Sequence, residues 1–396
     1  MKTECSHAER PLWCLLKEAL YIGAVGYGGP AILALAKQRL VHEKHIIEEK
    51  DFMDALALSQ VLPGAIGVTL MGRIGYQVKE LWGAILVPAA FALPSLIFIT
   101  ALSWAYFRFG NLPFVKSLFT GLGALVVALL ANASLLIGKS VFGKIKFKDY
   151  KGFLISIFTI TGIYVLHFNV LWLILFSGLL GFLFFYFTGE FEDNPSQNGN
   201  TVMPSQAAAA SVGPQHHMKR YIPVIILFLI AGLICLLSPK AVEIANTFLK
   251  IGALGFGGGF TAIPLIKGVV VDQLHWVSEI QFRDGIALGQ ITPGPVFITA
   301  AFIGYHVAGI IGAFMAALAI FTPSVAAIVV LSRIHSRVRS LKAVRVVIKG
   351  FLSGFFGLLI AVTCNLDSIP LLTGGHGLYF LLPCRICFFL KKMQSG

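Results

Sequence analysis

Two helix-breaking motifs occur twice in this sequence, in the same order each time. Gly28-Gly29-Pro30 and Gly257-Gly258 lie in the middle of apolar runs, and Pro63-Gly64 and Pro293-Gly294 lie in the apolar runs that follow. Proline removes an amide hydrogen and glycine permits close backbone approach, so each motif predicts an interrupted helix. The first amides of a resumed helix carry partial positive charge and bind anions. We therefore predict that these residues bind an anionic substrate, against the alternative that they only allow close packing and kinks.

Polar side chains accompany the Pro-Gly motifs. Gln60 and Gln290 each precede their proline by three residues, and their amides could donate to an oxyanion or bond a neighbouring helix. Asp54 and Asp284 each lie six residues before the glutamine, which places acid and amide on different sides of a helix. Two roles are open for these acids: coupling to a proton or cation at the site, or capping the N-terminus of their helix.

Three other polar residues lie in the same runs. Arg73 has no basic equivalent in the second half, and it could snorkel to the interface or balance a divalent anion. Thr292 and Thr299 could offer hydroxyls, although threonine in a membrane helix usually bonds its own backbone. The sequence contains no Walker, metalloprotease or nucleophile-elbow motif, so it indicates neither an ATPase nor a hydrolase, and we expect no enzyme activity and no cofactor.

The elements that must position these residues are membrane helices. Hydrophobic residues make up 57% of the chain and charged residues only 12%, and the mean hydropathy is +0.83. The apolar residues form runs long enough to cross roughly 30 Å of hydrocarbon, which predicts an all-α polytopic protein with about 12 membrane segments. The runs are 17–36, 55–75, 83–107, 117–138, 152–167, 169–188, 221–238, 246–266, 285–305, 306–332, 346–366 and 376–392.

Several other classes of protein are disfavoured. The formal net charge is +13, but the basic residues lie in short loops between apolar runs, which is typical of membrane topology and not of nucleic-acid binding. We expect no cleavable signal peptide, because the first run lacks a small-residue cleavage site. Most of the six cysteines are expected to be small buried hydrophobes, and the single CxxC pair of Cys384 and Cys387 predicts no metal site.

The chain contains an internal duplication. Long segments of the two halves align with only a one-residue slip, which is very improbable by chance. The aligned segments are Gly26-Tyr27-Gly28-Gly29-Pro30 with Gly255-Phe256-Gly257-Gly258-Gly259, residues 52–64 with 282–294, Gly75-Tyr76 with Gly304-Tyr305, Gly83 with Gly312, Pro94-Ser95 with Pro323-Ser324, and Gly121 with Gly350. We divide the chain into an N-terminal repeat at 1–188, a flexible linker at 189–220 and a C-terminal repeat at 221–396. In the linker, His216 and His217 are expected to be solvated.

The two repeats are predicted to have inverted topology. An odd number of runs separates equivalent points, and the basic loop at 139–151 should be cytoplasmic. The loop at 108–116 carries few basic residues, whereas its equivalent at 333–349 carries many, as inversion requires. One loop does not fit: residues 37–54 would lie outside, although they carry four basic residues. Re-entrant hairpins in place of full spans at 17–36 or 55–75 would change the count.

The motifs resemble those of the chromate ion transporter family in its long, two-domain form. The second half carries the pattern best, with Gly255-Phe256-Gly257-Gly258-Gly259, Trp276-Val277-Ser278, Phe282, Asp284, Ala287-Leu288, Gln290 and Pro293-Gly294-Pro295. The first half carries Gly26-Tyr27-Gly28-Gly29-Pro30, Phe52, Asp54, Ala57-Leu58, Gln60 and Pro63-Gly64. The first half departs from the family where Ala31-Ile32 and Ala65 replace residues that are often polar or proline.

The resemblance implies secondary transport of chromate or a related oxyanion across the cytoplasmic membrane, in the direction of efflux. Export of another anion, such as sulfate or an organic acid, is the alternative that the departures favour. A non-transporting membrane sensor or scaffold is a third hypothesis, which the paired breaks disfavour. The expected partners are a small inorganic anion and the lipid bilayer of the cell (inner) membrane, and we expect no nucleic acid. The candidate assembly is a homodimer.

Overall fold

The computed structural model describes residues 11–142, 150–166, 168–186, 239–331 and 342–367. Within these ranges the chain forms α-helices joined by short turns. They are α1 (Pro11–Val25), α2 (Gly29–Lys37), α3 (Glu49–Ser59), α4 (Ile66–Phe109), α5 (Pro113–Phe142), α6 (Tyr150–Tyr164), α7 (Val170–Tyr186), α8 (Pro239–Leu254), α9 (Ala262–Val270), α10 (Glu279–Ile291), α11 (Thr299–Leu331) and α12 (Lys342–Asp367). A π-helical turn at Gln38–Glu43 extends α2, and 3-10 turns at Gly259–Thr261 and Val296–Ile298 precede α9 and α11.

Helices α4 and α11 each contain a sharp turn at equivalent positions. Glu80 has φ 48° and ψ −129°, and Gly309 has φ 60° and ψ −147°, both outside helical geometry. The chain folds back at this turn, because the backbone of Gly75 contacts that of Gly83 eight residues later. Each long helix is therefore a helical hairpin made of a short first arm and a longer second arm.

Helices α1 and α2 also form a hairpin. Arg39 Nε donates a 2.8 Å hydrogen bond to Glu18 Oε2, and its guanidinium lies 4.5 Å from the ring of Tyr21. In one straight helix, residues 21 positions apart would be separated by about 30 Å. The interruption at Gly28 therefore reverses the chain.

Helix α3 and the first arm of α4 form a further hairpin, with its bend at Pro63-Gly64. Thr69 Oγ1 lies 3.5 Å from the carbonyl of Ser59 across this bend. In the second half, the side chain of Thr299 packs against Gly289 in the same way. Helices of 9, 11 and 13 residues in α2, α3 and α10 are too short to cross a bilayer. The breaks thus lie at the bends of helical hairpins, and the runs at 17–36 and 55–75 do not form single continuous helices.

Ion pairs join neighbouring hairpins at the ends that lie away from the breaks. Lys37 Nζ pairs with Glu49 Oε1, and the equivalent Lys267 Nζ lies 3.1 Å from Glu279 Oε1 and 2.8 Å from Asp272 Oδ1. The ammonium of Lys37 holds the pKa of Glu49 below its usual value. The Lys267 side chain is only 3% exposed, and these two carboxylates compensate its charge.

The protein is a multi-pass membrane protein. In the part of the chain that the structure describes, four helical segments are long and apolar enough to cross a membrane: Ile66–Phe109, Pro113–Lys139, Val296–Leu331 and Val346–Leu366. The predicted number of about 12 segments is not confirmed. The runs at 221–238 and 376–392, the linker at 189–220 with His216 and His217, and the pair Cys384 and Cys387 lie outside the described residues.

The cysteine prediction needs correction at two positions. Cys14 and Cys364 are disulfide-bonded, and are not simply small buried hydrophobes. Cys364 lies within the apolar run at 346–366 and Cys14 just before the run at 17–36, and their spacing is not typical of a disulfide framework.

Candidate functional site

The four breaks that the sequence motifs mark meet between the two halves of the chain. The Gly64 amide donates a 2.7 Å hydrogen bond to the carbonyl of Gly255, and the Gly294 amide donates a 2.7 Å bond to the carbonyl of Gly26. Tyr27 and Gly294 also form an isolated parallel bridge. We call this region the tip junction; it comprises residues 26–30, 60–66, 255–259 and 290–296. The sequence motifs are therefore brought to one place.

Glycine is required at the two Pro-Gly bends. Gly64 has φ 103° and Gly294 has φ 112°, a left-handed region that disfavours any side chain. A Cβ at Gly64 would overlap the hydroxyl of Ser324, and a Cβ at Gly294 would overlap that of Ser95. Each bend thus packs directly against a serine of the opposite half.

Helices begin at the tip junction without side-chain caps. Helix α2 starts after Gly28 and helix α4 starts after Ala65, and neither N-cap residue provides a side-chain hydrogen bond. The N-terminus of α10 is different, because Ser278 and Gln281 form a complete capping box there. The first amides of a helix have no partner within it, so uncapped starts leave donors that suit an anion.

The two halves of the junction differ in exposure. Gly29 and Pro30 are exposed, and no atom lies within 4 Å of where a Cβ on Gly28 or Gly29 would stand. In the second half Gly258 is buried, and a Cβ on Gly257 would overlap Leu352. The junction is therefore open on the side of the first half and closed on the side of the second.

The two predicted glutamines also differ. Gln60 is exposed at the C-terminal end of α3. Gln290 Nε2 is buried, and among the described residues it has no hydrogen-bond partner. The alternative that Gln290 Nε2 bonds a neighbouring helix is thus not observed.

The predicted acids lie inside helices and not at their ends. The N-cap residues are Glu48 for α3 and Ser278 for α10, which excludes the capping alternative for Asp54 and Asp284. Asp284 is 4% exposed; its Oδ2 accepts a 2.9 Å bond from Tyr106 Oη, and its Oδ1 lies 3.1 Å from Arg283 Nη2. This cluster joins the second arm of α4 to α10.

The side chains of the remaining polar candidates contact residues that are close to them in the sequence. Thr292 Oγ1 donates to the carbonyl of Leu288, and Thr299 Oγ1 donates to that of Val296, as expected for threonine in a helix. The Arg73 guanidinium lies 6.0 Å from the ring centroid of Tyr76.

Comparison with known proteins identifies the family of this chain. The family model described as chromate transporter matches residues 13–182 and 242–392, which include all four breaks. The chain belongs to the chromate transporter family.

Relatives in this family span nearly the whole chain. The chromate transport protein of Cupriavidus metallidurans is 32% identical over 97% of this chain and 90% of its own length. The probable chromate transport protein of Synechococcus elongatus is 31% identical over 80% of this chain and 75% of its own. An uncharacterized transporter of Methanocaldococcus jannaschii is 30% identical over 87% of this chain and 81% of its own. No solved structure matches the chain.

Three polar residues that contact the predicted site residues were not singled out from the sequence. Ser95 and Ser324, which contact the two Pro-Gly bends, appear in the repeat alignment, and their matched position within apolar runs is a signal that could have singled them out. Tyr106 gave no such signal, because its contact with Asp284 joins residues 178 positions apart.

Proposed function

We propose that this protein exports chromate or a related tetrahedral oxyanion across the cytoplasmic membrane by secondary transport. The observation that carries the proposal is the tip junction, where α2 and α4 of the first half and the 3-10 turns Gly259–Thr261 and Val296–Ile298 of the second begin without side-chain caps. Such starts present amides and partial positive charge, which match a dianion without placing a full cation in the bilayer. Relatives that are named chromate transport proteins support this choice of substrate.

We assign the anion site to the residues that the sequence singled out at the junction. The backbone at Gly28, Gly29, Gly257 and Gly258 would contact the anion directly, and the prolines would keep the helices from closing over it. The full set is Gly28, Gly29, Pro30, Gln60, Pro63, Gly64, Gly257, Gly258, Gln290, Pro293 and Gly294. The amides of Gly64 and Gly294 are bonded to the opposite half, so they would have to exchange partners to reach the anion.

Asp54 and Asp284 are our candidates for coupling to a proton or cation. Both lie within re-entrant hairpins, where an ionisable group in a membrane protein is a functional candidate by default. Asp284 is the stronger candidate of the two, because it is buried and its contacts reach α4 of the other half.

The hairpins support our proposal that the two halves have inverted topology. Re-entrant hairpins do not change side, so the crossings between α1 and α8 would be the second arm of α4, then α5, α6, α7 and the run at 221–238. That number is odd, as inversion requires. Residues 37–54 then lie on the cytoplasmic side with the other basic loops, and the misfit in the charge pattern disappears.

A second candidate is export of a different anion by the same route. It is favoured by the first half, where Ala31-Ile32 and Ala65 supply no polar side chain beside Gly28-Gly29-Pro30. A site with fewer side-chain donors would discriminate less strongly among anions of one charge.

Uptake into everted membrane vesicles tests the proposal. Vesicles that contain the protein should accumulate radiolabelled chromate or sulfate above vesicles without it, and dissipating the proton gradient or membrane potential should abolish the difference. Accumulation of neither anion would refute the oxyanion assignment. Accumulation that persists without any gradient would refute secondary active transport. Competition by organic acids but not by sulfate would favour the second candidate.

A further inference from the structure

Two buried serines at equivalent positions lack the hydrogen bond that every comparable residue makes. Ser95 and Ser324 are both fully buried, and neither hydroxyl has a partner among the described residues. The other buried serines and threonines in those residues each donate to a backbone carbonyl. They are Ser59, Thr69, Ser103, Ser134, Ser156, Thr159, Ser177, Thr261, Thr292, Thr299, Ser353 and Thr363.

Local packing contributes to this difference. A helical serine usually bonds the carbonyl four residues earlier, which is that of Phe91 for Ser95 and that of Ile320 for Ser324. Those two carbonyls are packed against Gly23 of α1 and Gly252 of α8. The same close helix contact thus occurs in both halves, and it directs both carbonyls toward the neighbouring helix.

Both hydroxyls lie at the tip junction. Ser324 contacts Gly64 at the Pro-Gly bend of the first half, and Ser95 contacts Gly294 at the bend of the second. The only other buried side-chain atom without a partner in the described residues is Nε2 of Gln290, which precedes the second bend. All three unpartnered polar groups therefore belong to one region.

A buried hydroxyl without a partner is unfavourable, and such groups in native proteins call for an explanation. A small residue would be needed against Gly64 and Gly294, but alanine would meet that need without the cost of an unpaired hydroxyl. The repetition of serine in both halves therefore points to a donor whose acceptor is not part of the protein. An oxyanion supplies acceptors only, which matches two hydroxyls and one amide.

We propose that Ser95 and Ser324 donate hydrogen bonds to the transported oxyanion and are specificity-determining residues of its site. This inference rests on the proposed function. Because each bend glycine lies directly on a hydroxyl, the bend must withdraw before the anion makes this contact. Anion binding would then compete with the two bonds that join the halves, Gly64 to Gly255 and Gly294 to Gly26.

Alanine variants of the protein test the proposal, both in vesicles and as the purified full chain. We would compare Ser95→Ala, Ser324→Ala and wild type, with Ser103→Ala as the matched control, because Ser103 is buried in the same helix but bonds the carbonyl of Ile99. The readouts are the KM for chromate and for sulfate in everted vesicles, and the thermal stability of the protein with and without each anion.

Each site variant is expected to raise the KM about tenfold or more, since a hydrogen bond to a charged group is lost. Without anion, these variants should be as stable as wild type or more stable, and the stabilisation by chromate should decrease. The control should keep the wild-type KM.

Two results would overturn the proposal while leaving oxyanion transport intact. One is a wild-type KM in both site variants. The other is a loss of stability without anion that equals the loss with anion, which would show that the hydroxyls serve the fold. If wild type itself neither transports nor is stabilised by chromate or sulfate, the proposed function fails, and this inference fails with it.

Discussion

The amide of Gly64 donates a 2.7 Å hydrogen bond to the carbonyl of Gly255, so the first half of the transporter is bonded to the second at their bends. The bond from Gly294 to Gly26 has the same length and joins the equivalent residues in the opposite sense. The duplicated segments are thus joined by two reciprocal hydrogen bonds, one donated by each half. In the secondary transport that we propose, these two bonds would break and re-form as the halves rearrange.

Alanine at either bend should destabilise this interface. In Gly64→Ala and Gly294→Ala the new Cβ overlaps a serine hydroxyl and the backbone is held at positive φ. We expect strain and overlap to lower the free energy of unfolding by at least about 2 kcal/mol, which would appear as a lower unfolding midpoint in detergent. Gly121→Ala is the control, because that glycine lies in a helix with nothing within 4 Å. Equal effects at positions 64 and 121 would contradict the prediction.

Relief of backbone strain should stabilise the turn in α4. Glu80 has φ 48°, whereas the equivalent residue of α11 is Gly309. Glu80→Gly is expected to raise stability by about 1 kcal/mol, which is the low end of the cost of such a conformation for a residue with a side chain. Glu80→Ala removes the same carboxylate but keeps the strain, and should give no gain in thermal unfolding. A similar shift in both variants would show that the carboxylate matters and the backbone does not.

The buried charge of Lys267 should depend on its two carboxylates. Asp272→Asn combined with Glu279→Gln leaves an ammonium that is 3% exposed without compensation. We expect the free energy of unfolding to decrease by about 3–5 kcal/mol, as when other buried ion pairs lose one partner. At the equivalent pair of the first half, Glu49 is on the surface, and Glu49→Gln should change the unfolding midpoint little. Comparable losses in the two halves would be inconsistent with the difference in burial.

Removing the Tyr106 hydroxyl should weaken the contact between α4 and α10. Tyr106→Phe keeps the ring contacts with Phe119 and Phe302 but deletes the 2.9 Å bond to Asp284. The expected loss is about 1.5–3 kcal/mol, typical of a hydrogen bond to a charged group. If Asp284 couples transport to protons, the pH dependence of chromate uptake should shift as well. Tyr305→Phe, at a ring that stacks on Phe107, is the control for both measurements.

Equivalent loops of the two halves should be labelled from opposite sides of the membrane. Lys44→Cys lies after α2 and Leu274→Cys lies after α9, at matching positions of the two hairpins. With a membrane-impermeant thiol reagent, position 274 should react in intact cells and position 44 only in everted vesicles. Wild type corrects for the native cysteines. Labelling of both positions from one side would show parallel halves.

The sequence by itself determined the class of protein, the duplication and the location of the backbone breaks. Composition and long apolar runs require a membrane, and Gly-Gly and Pro-Gly interrupt a helix whatever surrounds them. It also singled out Gln60 and Gln290 as candidate donors, because a polar side chain beside a break in an apolar run is conspicuous without any structure.

Only the tertiary structure decided what the breaks do. A break is compatible with a helix that continues or one that reverses, and the ion pair between Glu18 and Arg39 shows reversal. Likewise Asp284 could have capped its helix by position in the sequence, until Ser278 was found at the cap and Tyr106 at the carboxylate. The missing partners of Ser95 and Ser324 depend on which helices pack against them. Contacts between distant segments set all three, and local sequence does not encode them.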